Sequence, residues 1–171
     1  MEQRSESKNK KGEQQAGCIY TFEVFIISGP MSDKFIKRNK IISRTIEIRG
    51  SQTLEDFHQA IFDAFDREEE HMYEFQVGGK GPNDPEAKKY VVPTELDDVL
   101  EDSQPAGYVA DTTINSLGLK VDDIIGYWFD FGDDWWHQIN VVSIEDKTPK
   151  GKYPKVVKRT GQSPSQYEDV E

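Results

Sequence analysis

The stretch Tyr127–Val141, YWFDFGDDWWHQINV, constrains the fold more than any other part of the chain. Aromatic and apolar side chains recur at every second position on both sides of a Gly-Asp-Asp centre, which is the period of a half-buried strand. Two such runs about a turn make a hairpin, and a one-residue slip in its register would turn every core side chain toward water. A three-residue loop of Gly132, Asp133 and Asp134 gives a consistent pairing. Phe131 then faces Trp135, Phe129 faces His137, Tyr127 faces Ile139 and Ile125 faces Val141. The other face carries Trp128, Asp130, Trp136 and Gln138 and is mixed in polarity. Asp130-Phe131-Gly132 is also the triplet with which protein kinases hold magnesium. A kinase needs in addition a glycine-rich phosphate loop, a strand lysine and an H-R-D-x-x-x-x-N loop, and none occurs here. Gly132, Asp133 and Asp134 are read as turn residues, since Asp tolerates turn backbone geometry.

The rest of the chain supplies partners for this hairpin. IYTFEVFIIS (19–28) and IISRTIEI (41–48) are β-branched and aromatic, and read as strands. Thr53 can cap a helix, with Asp56 in the capping-box position. Leu54, Phe57, His58, Ile61 and Phe65 follow at spacings of three and four, one face of an amphipathic helix ending near Asp66. A charged connector, REEEH, leads to the alternating strand MYEFQV, then a GGKGPNDPE loop and a short KKYVV strand. That loop has neither the spacing nor the following helix of a phosphate loop. Pro93–Gly107 is an acidic, turn-rich excursion, and a short helical turn burying Ile114 and Leu117 precedes a strand after Asp123. This element order predicts an α+β fold of β-grasp-like (ubiquitin-like) type, a mixed sheet packed on one main helix, with an added C-terminal hairpin strand. The expected organisation is a disordered N-terminal tail over 1–18, one domain over 19–159 and a flexible tail over 160–171.

Charge and composition narrow the function classes. Of 171 residues 31% are charged, and the formal net charge is −11. Glu95–Asp134 holds eleven acids against one base, Lys120. Such a surface repels a phosphate backbone, so nucleic acid is disfavoured as a partner except through two local basic stretches. Lys34–Arg49 holds six bases and one acid, Glu47, with Asp33 just before it, and Lys147–Arg159 holds six bases and no acid. No apolar run approaches the roughly 20 residues that span a bilayer, and the N-terminus has no apolar signal-peptide core. The expectation is a cytoplasmic protein without membrane contact. The single cysteine, Cys18, excludes an intramolecular disulfide and any cysteine-based metal site.

RTIEIRGSQTLEDFHQAIFDAF, HMYEF, YWFDFGDDWWHQINV and KYP together resemble the plasmid open-reading-frame-three-like family, first named from a root-inducing plasmid. The family's signature is an R-x-I-x-I strand, a T-L-x-x-L-H-x-x-I helix, an H-x-x-x-F strand and a Y-x-Y-D-F-G-D-x-W-x-H hairpin. The resemblance covers about Tyr20–Pro154 and implies an α+β domain, bacterial and sometimes a passenger on mobile elements, with no established reaction. Two departures stand out. Phe57 replaces the helix leucine, and SPSQYEDVE keeps Pro164 but lacks the Gly pair of the usual P-P-E-D-x-G-G segment.

His58, His71 and His137 fall in the matched segments, so a metal site would be assembled from His58, His71, Asp134 and His137, and a catalytic one from His58, Asp130 and His137. No close-spaced ligand motif such as H-E-x-x-H occurs. The simpler reading makes each histidine a hydrogen-bonded core residue. Trp128, Asp130 and Trp136 on the outer hairpin face form the candidate binding surface, the alternative being that the 93–107 excursion covers the two tryptophans. The sequence thus leans away from an enzyme and toward a non-catalytic binding or adaptor module with a protein partner and no cofactor. The alternative is a small metal-dependent hydrolase using a divalent ion. Convergence of two histidines and an aspartate in one pocket would favour the second reading, and a dry, packed interior around them the first.

Overall fold

The computed structural model describes residues 17–94, 104–147 and 150–167. The expected N-terminal tail and the centre of the 93–107 excursion therefore lie outside the described residues, apart from their edges. The elements are β1 (Cys18–Ser28), α1 (Asp33–Arg38), β2 (Ser43–Arg49), α2 (Leu54–Ala64), β3 (Tyr73–Val77), β4 (Lys88–Val91), β5 (Gly107–Tyr108), two 3₁₀ turns (Val109–Asp111 and Asn115–Leu117), β6 (Ile124–Phe129), β7 (Trp135–Asp146) and β8 (Lys155–Thr160).

This arrangement corrects the expected fold class. The described residues form one eight-stranded sheet, in the order β5-β4-β3-β6-β7-β1-β2-β8. They contain only two α-helices, of 6 and 11 residues. The molecule is mostly sheet and not a β-grasp sheet built on one main helix. Element order was the whole basis for that expectation, and element order does not fix pairing direction. Every strand pair is antiparallel except the short β4–β5 pair at one edge. Consecutive pairs (β1–β2, β3–β4, β6–β7) are set side by side through the non-consecutive pairs β3–β6, β7–β1 and β2–β8, so the strands extend one sheet instead of closing round a helix.

Local signals nevertheless form as the residues dictate. The Thr53 side chain accepts from the Asp56 N–H at 3.1 Å while the Asp56 carboxylate accepts from the Thr53 N–H at 3.0 Å, a complete capping box. The α2 stripe Leu54, Phe57, Ile61 and the capping Phe65 are fully buried. The Phe57 ring stacks on Phe22 of β1 at 4.6 Å and Phe75 of β3 at 5.6 Å. Ile42, Val109, Ile114 and Leu119 join the same core from the connecting segments.

The central hairpin differs from expectation by two residues. Phe129 pairs with Trp135, Trp128 with Trp136, Tyr127 with His137 and Ile125 with Ile139, so the loop is Asp130–Asp134 rather than three residues. A shift of two keeps every side chain on its expected face, except within the turn itself. There Phe131 becomes 41% exposed and Asp130 is buried. Asp130 and Asp134 both sit at positive φ, 62° and 58°. The Asp130 carboxylate accepts from the N–H groups of Gly132 and Asp133 at 3.1 and 3.2 Å, and the Asp130 N–H donates to the Met72 carbonyl at 2.9 Å. These bonds stabilise the wider loop. On the outer face the 78–87 loop approaches so closely that a Cβ on Gly126 would lie 2.8 Å from the Pro82 Cα, which explains glycine in mid-strand.

Candidate functional site

A chain of buried polar groups runs beneath the hairpin, and Tyr127 is its centre. β6 presents Tyr127 inward, α2 presents His58 from its apolar stripe, and β7 presents His137 directly across from Tyr127. All three are buried. The Tyr127 hydroxyl lies 2.6 Å from His58 Nδ1, and His58 Nε2 lies 2.6 Å from Glu70 Oε1. The carboxylate of Glu70 can only accept, so His58 carries its proton on Nε2 and its Nδ1 accepts from the Tyr127 O–H. His58 also stacks flat on Tyr73, with centroids 3.6 Å apart.

The second half of the chain starts from the Tyr127 carbonyl, 3.1 Å from His137 Nδ1, and continues from His137 Nε2 to Arg67 Nη2 at 2.7 Å. A guanidinium is a donor only, so His137 accepts on Nε2 and donates from Nδ1. The two histidines are opposite tautomers, set by Glu70 and Arg67 and joined through one tyrosine. Burial, with the Arg67 charge second, holds His58 down at about 3 and His137 well below the ordinary imidazole range. Burial pushes the Tyr127 phenol well above 10. Burial likewise pulls Arg67 down to about 10, against the attraction of Tyr127, Asp130 and Glu70. Its guanidinium rests on the rings of Phe129, Phe65 and Trp135, at 4.6, 5.3 and 5.4 Å.

The network reaches water at Glu70, whose side chain is 55% exposed. It opens there into a groove of about 730 Å³ lined by Glu55, Asp56, His71, Met72 and Tyr73 among others. Burial raises the Glu70 pKa, partly offset by hydrogen bonding and charge from His71. His71 itself faces Asp130 Oδ2 at 3.4 Å and donates to the Tyr167 hydroxyl at 2.8 Å. Asp134 accepts from Trp128 Nε1 at 2.9 Å. The candidate ligands His58, His71, Asp134 and His137 are thus divided among three separate hydrogen-bonded groupings. Both ring nitrogens of His58 and of His137 are engaged. Among the described residues no group of three or more His, Cys, Asp or Glu is arranged to hold a metal ion.

A comparison with known sequence families matches residues 34–171 to the plasmid pRiA4b ORF-3-like proteins. The chain belongs to that family. No curated protein matches. A crystal structure of a protein of unknown function from Methanosarcina mazei shares the fold, with a TM-score of 0.63 and 20% identity over 85% of this chain and 71% of that one. In this ORF-3-like protein the stretch that carries the resemblance therefore has a physical explanation residue by residue. Tyr127 and His137 belong to the buried network, Asp130 and Gly132 to the turn, and Trp135 to the core.

Sequence reasoning missed Arg67, Glu70 and the C-terminal contacts. Gln166 accepts from the N–H groups of Glu68 and Glu69 at 2.8 and 2.9 Å and donates to the Glu69 carbonyl at 2.6 Å. The Tyr167 O–H donates to Glu69 Oε2 at 2.6 Å. The segment placed in a flexible tail beyond residue 159 thus runs along the connector that carries Arg67 and Glu70, with Pro164 and Gln166 buried. Only the lone base heading the REEEH run hinted at this role.

Two surfaces remain. On the outer face Trp128 and Trp136 stack at 4.9 Å with planes 4° apart, and Phe131 packs on Trp128 at 4.1 Å. Trp128 and Phe131 border a second groove of about 730 Å³, with Met72, Val91, Val92, Lys88 and Lys89. The β2–β8 pairing brings the two basic stretches side by side, with Arg44 opposite Arg159 and Glu47 opposite Lys155. Three arginines there serve the fold. Arg44 and Arg159 both donate to the Ala64 carbonyl at the end of α2, and Arg49 stacks over Tyr153. No described helix is long and apolar enough to cross a membrane.

Proposed function

We propose that this chain is a non-catalytic, cytoplasmic protein-binding module whose docking site is the aromatic surface of Trp128, Phe131 and Trp136. The observation that carries the reading is the stacked, partly exposed aromatic cluster at the mouth of a groove. The Trp128 indole is held by Asp134 and cannot turn freely. Aromatic side chains ordered before binding lose little entropy when a partner arrives, and such residues dominate interface energetics. Lys88 and Lys89 border the same groove, so the complementary partner is a protein segment that presents apolar side chains beside carboxylates. The hydrolase reading lacks comparable support. The histidines it needs are neutral, buried and bonded through both nitrogens, and Asp134 serves the hairpin.

A photo-crosslinking amino acid at Phe131, compared with one at Val142, tests this in cells. Both side chains are exposed, at 41% and 48%, but only Phe131 borders the groove. A discrete protein adduct is expected from position 131 and not from 142, and Trp136→Ala is expected to remove it. Equal labelling from both positions, or an adduct that survives Trp136→Ala, would contradict the docking site.

A further inference from the structure

Among the described residues, two side-chain donors in the core have no hydrogen-bond partner, Arg67 Nη1 and Trp135 Nε1. Both residues are buried, Arg67 to 7% exposure and Trp135 to 0%. The Arg67 Cζ lies 5.4 Å from the Trp135 ring. The groups that carry the two donors are thus neighbours, and a single acceptor placed between them would meet both at hydrogen bonds of about 3 Å. We infer that Arg67 and Trp135 hold a small monovalent anion of the halide class in the core of the protein.

The argument rests on three features of the pair. Both are donors only, so whatever satisfies them brings lone pairs and needs no proton to give. The positive charge has no close ion pair: the other guanidinium nitrogen is bonded to the neutral His137, no described carboxylate lies within 4.0 Å of Arg67, and Asp130 and Glu70 act on it only from further away. A buried cation without a close counter-charge is unfavourable, and an anion beside it relieves that cost. The surroundings are the rings of Phe65, Phe129 and Trp135. An apolar lining admits a small, weakly hydrated ion far more easily than a phosphate or sulfate, whose desolvation is much larger. The Gly29 backbone closes the indole from above, since a Cβ there would lie 2.2 Å from Trp135 Cε3.

The test uses the full chain, labelled with ¹⁵N, in sodium chloride, sodium bromide or sodium glutamate at equal ionic strength. The Trp135 indole and Arg67 guanidinium resonances are expected to move between chloride and bromide. The indole signals of Trp128 and Trp136 are the internal controls and are expected to stay in place. Above the dissociation constant, each tenfold rise in chloride is expected to lower the unfolding constant tenfold relative to glutamate, as one-site linkage requires. Trp135→Phe keeps the ring and removes one donor, and it is expected to weaken that dependence. Arg67→Met is expected to abolish it. If Arg67→Met does not fold, the wild-type resonances decide alone. A Trp135 indole signal identical in all three salts, with a cross-peak to bound water, would overturn the inference, and so would equal salt dependence in wild type and Trp135→Phe.

Discussion

Lowering the pH from 7 to 5 tests the buried network directly. His58 and His137 are held neutral in the folded protein, at about 3 and well below 6.5 respectively. In the unfolded chain both imidazoles return to about 6.5. Their neutral forms therefore favour folding fully above pH 6.5, and that contribution is lost as pH falls below 6.5 toward the folded values, because only the unfolded state takes up protons. Each histidine should contribute a loss of about 2 kcal/mol between pH 7 and pH 5, or about 4 kcal/mol for the two. Against a typical total of about 5–15 kcal/mol, that is a large fraction. At about 2–4 °C per kcal/mol for a chain of this size, the melting temperature should fall by about 8–16 °C. Glu70 acts in the opposite direction, since burial raises its pKa, so the informative quantity is the difference between wild type and His137→Gln.

Urea midpoints at half-unit pH steps measure this difference, and His137→Gln should show about half the loss attributed to the pair. Long-range ¹H–¹⁵N spectra of the wild type read the tautomers independently. His58 should be protonated on Nε2 and His137 on Nδ1, with neither ring titrating between pH 8 and 5. A wild-type midpoint that stays flat from pH 7 to 5, or a His137 ring that titrates near 6.5 in the folded protein, would refute the assignment.

Three further perturbations probe the core, the hairpin packing and the C-terminal contacts. Phe57→Ala removes a fully buried ring stacked on Phe22 and Phe75 and should cost about 3–5 kcal/mol; an unchanged urea midpoint would show the α2 face to be misassigned. Gly29→Ala forces a methyl against the Trp135 ring, 2.2 Å from Cε3. It should lower stability by about 1–3 kcal/mol through overpacking, seen as a lower melting temperature with a perturbed Trp135 indole signal. Gln166→Ala removes three hydrogen bonds to the 68–69 backbone and should cost about 1–3 kcal/mol. Amide exchange at Glu68 and Glu69 should rise, while that of the central strands should not.

What the sequence revealed and what it hid follow from how far each interaction reaches. The α2 face and its capping box depend on neighbours three and four residues apart, so periodicity alone locates them. Hairpin parity is equally local, because any even shift preserves it. The register itself depends on contacts outside the hairpin. The Met72 carbonyl takes the Asp130 N–H, and two aspartates adopt left-handed backbone, so residues 127–141 alone could not distinguish a loop of three from one of five. The pairing of strands is less local still. β1 lies between β7 and β2, and nothing in an element order states that both neighbours run antiparallel to it.

The buried network shows the same limit at the level of chemistry. His58 and His137 are legible in the sequence as histidines on inward faces, and Asp130 and Asp134 nearby in the hairpin made a metal site conceivable. After burial, the residue that most affects their state is Arg67, which sits in a run of charges and bonds a partner 70 positions away. Burial, with the Arg67 cation second, keeps both imidazoles neutral, Arg67 fixes the His137 tautomer, and Glu70 on the same connector fixes that of His58. The connector carrying Arg67 and Glu70 is in turn held by Gln166 and Tyr167, about a hundred residues downstream, through contacts at separations of 97 and 98. The end of the chain, where this sequence departs from the usual family pattern, is thereby tied to the protonation of the core. Loosening Gln166 should therefore change not only exchange at the connector but also the pH at which His58 first takes up a proton. That second effect would not follow if the C-terminal contacts were packing alone.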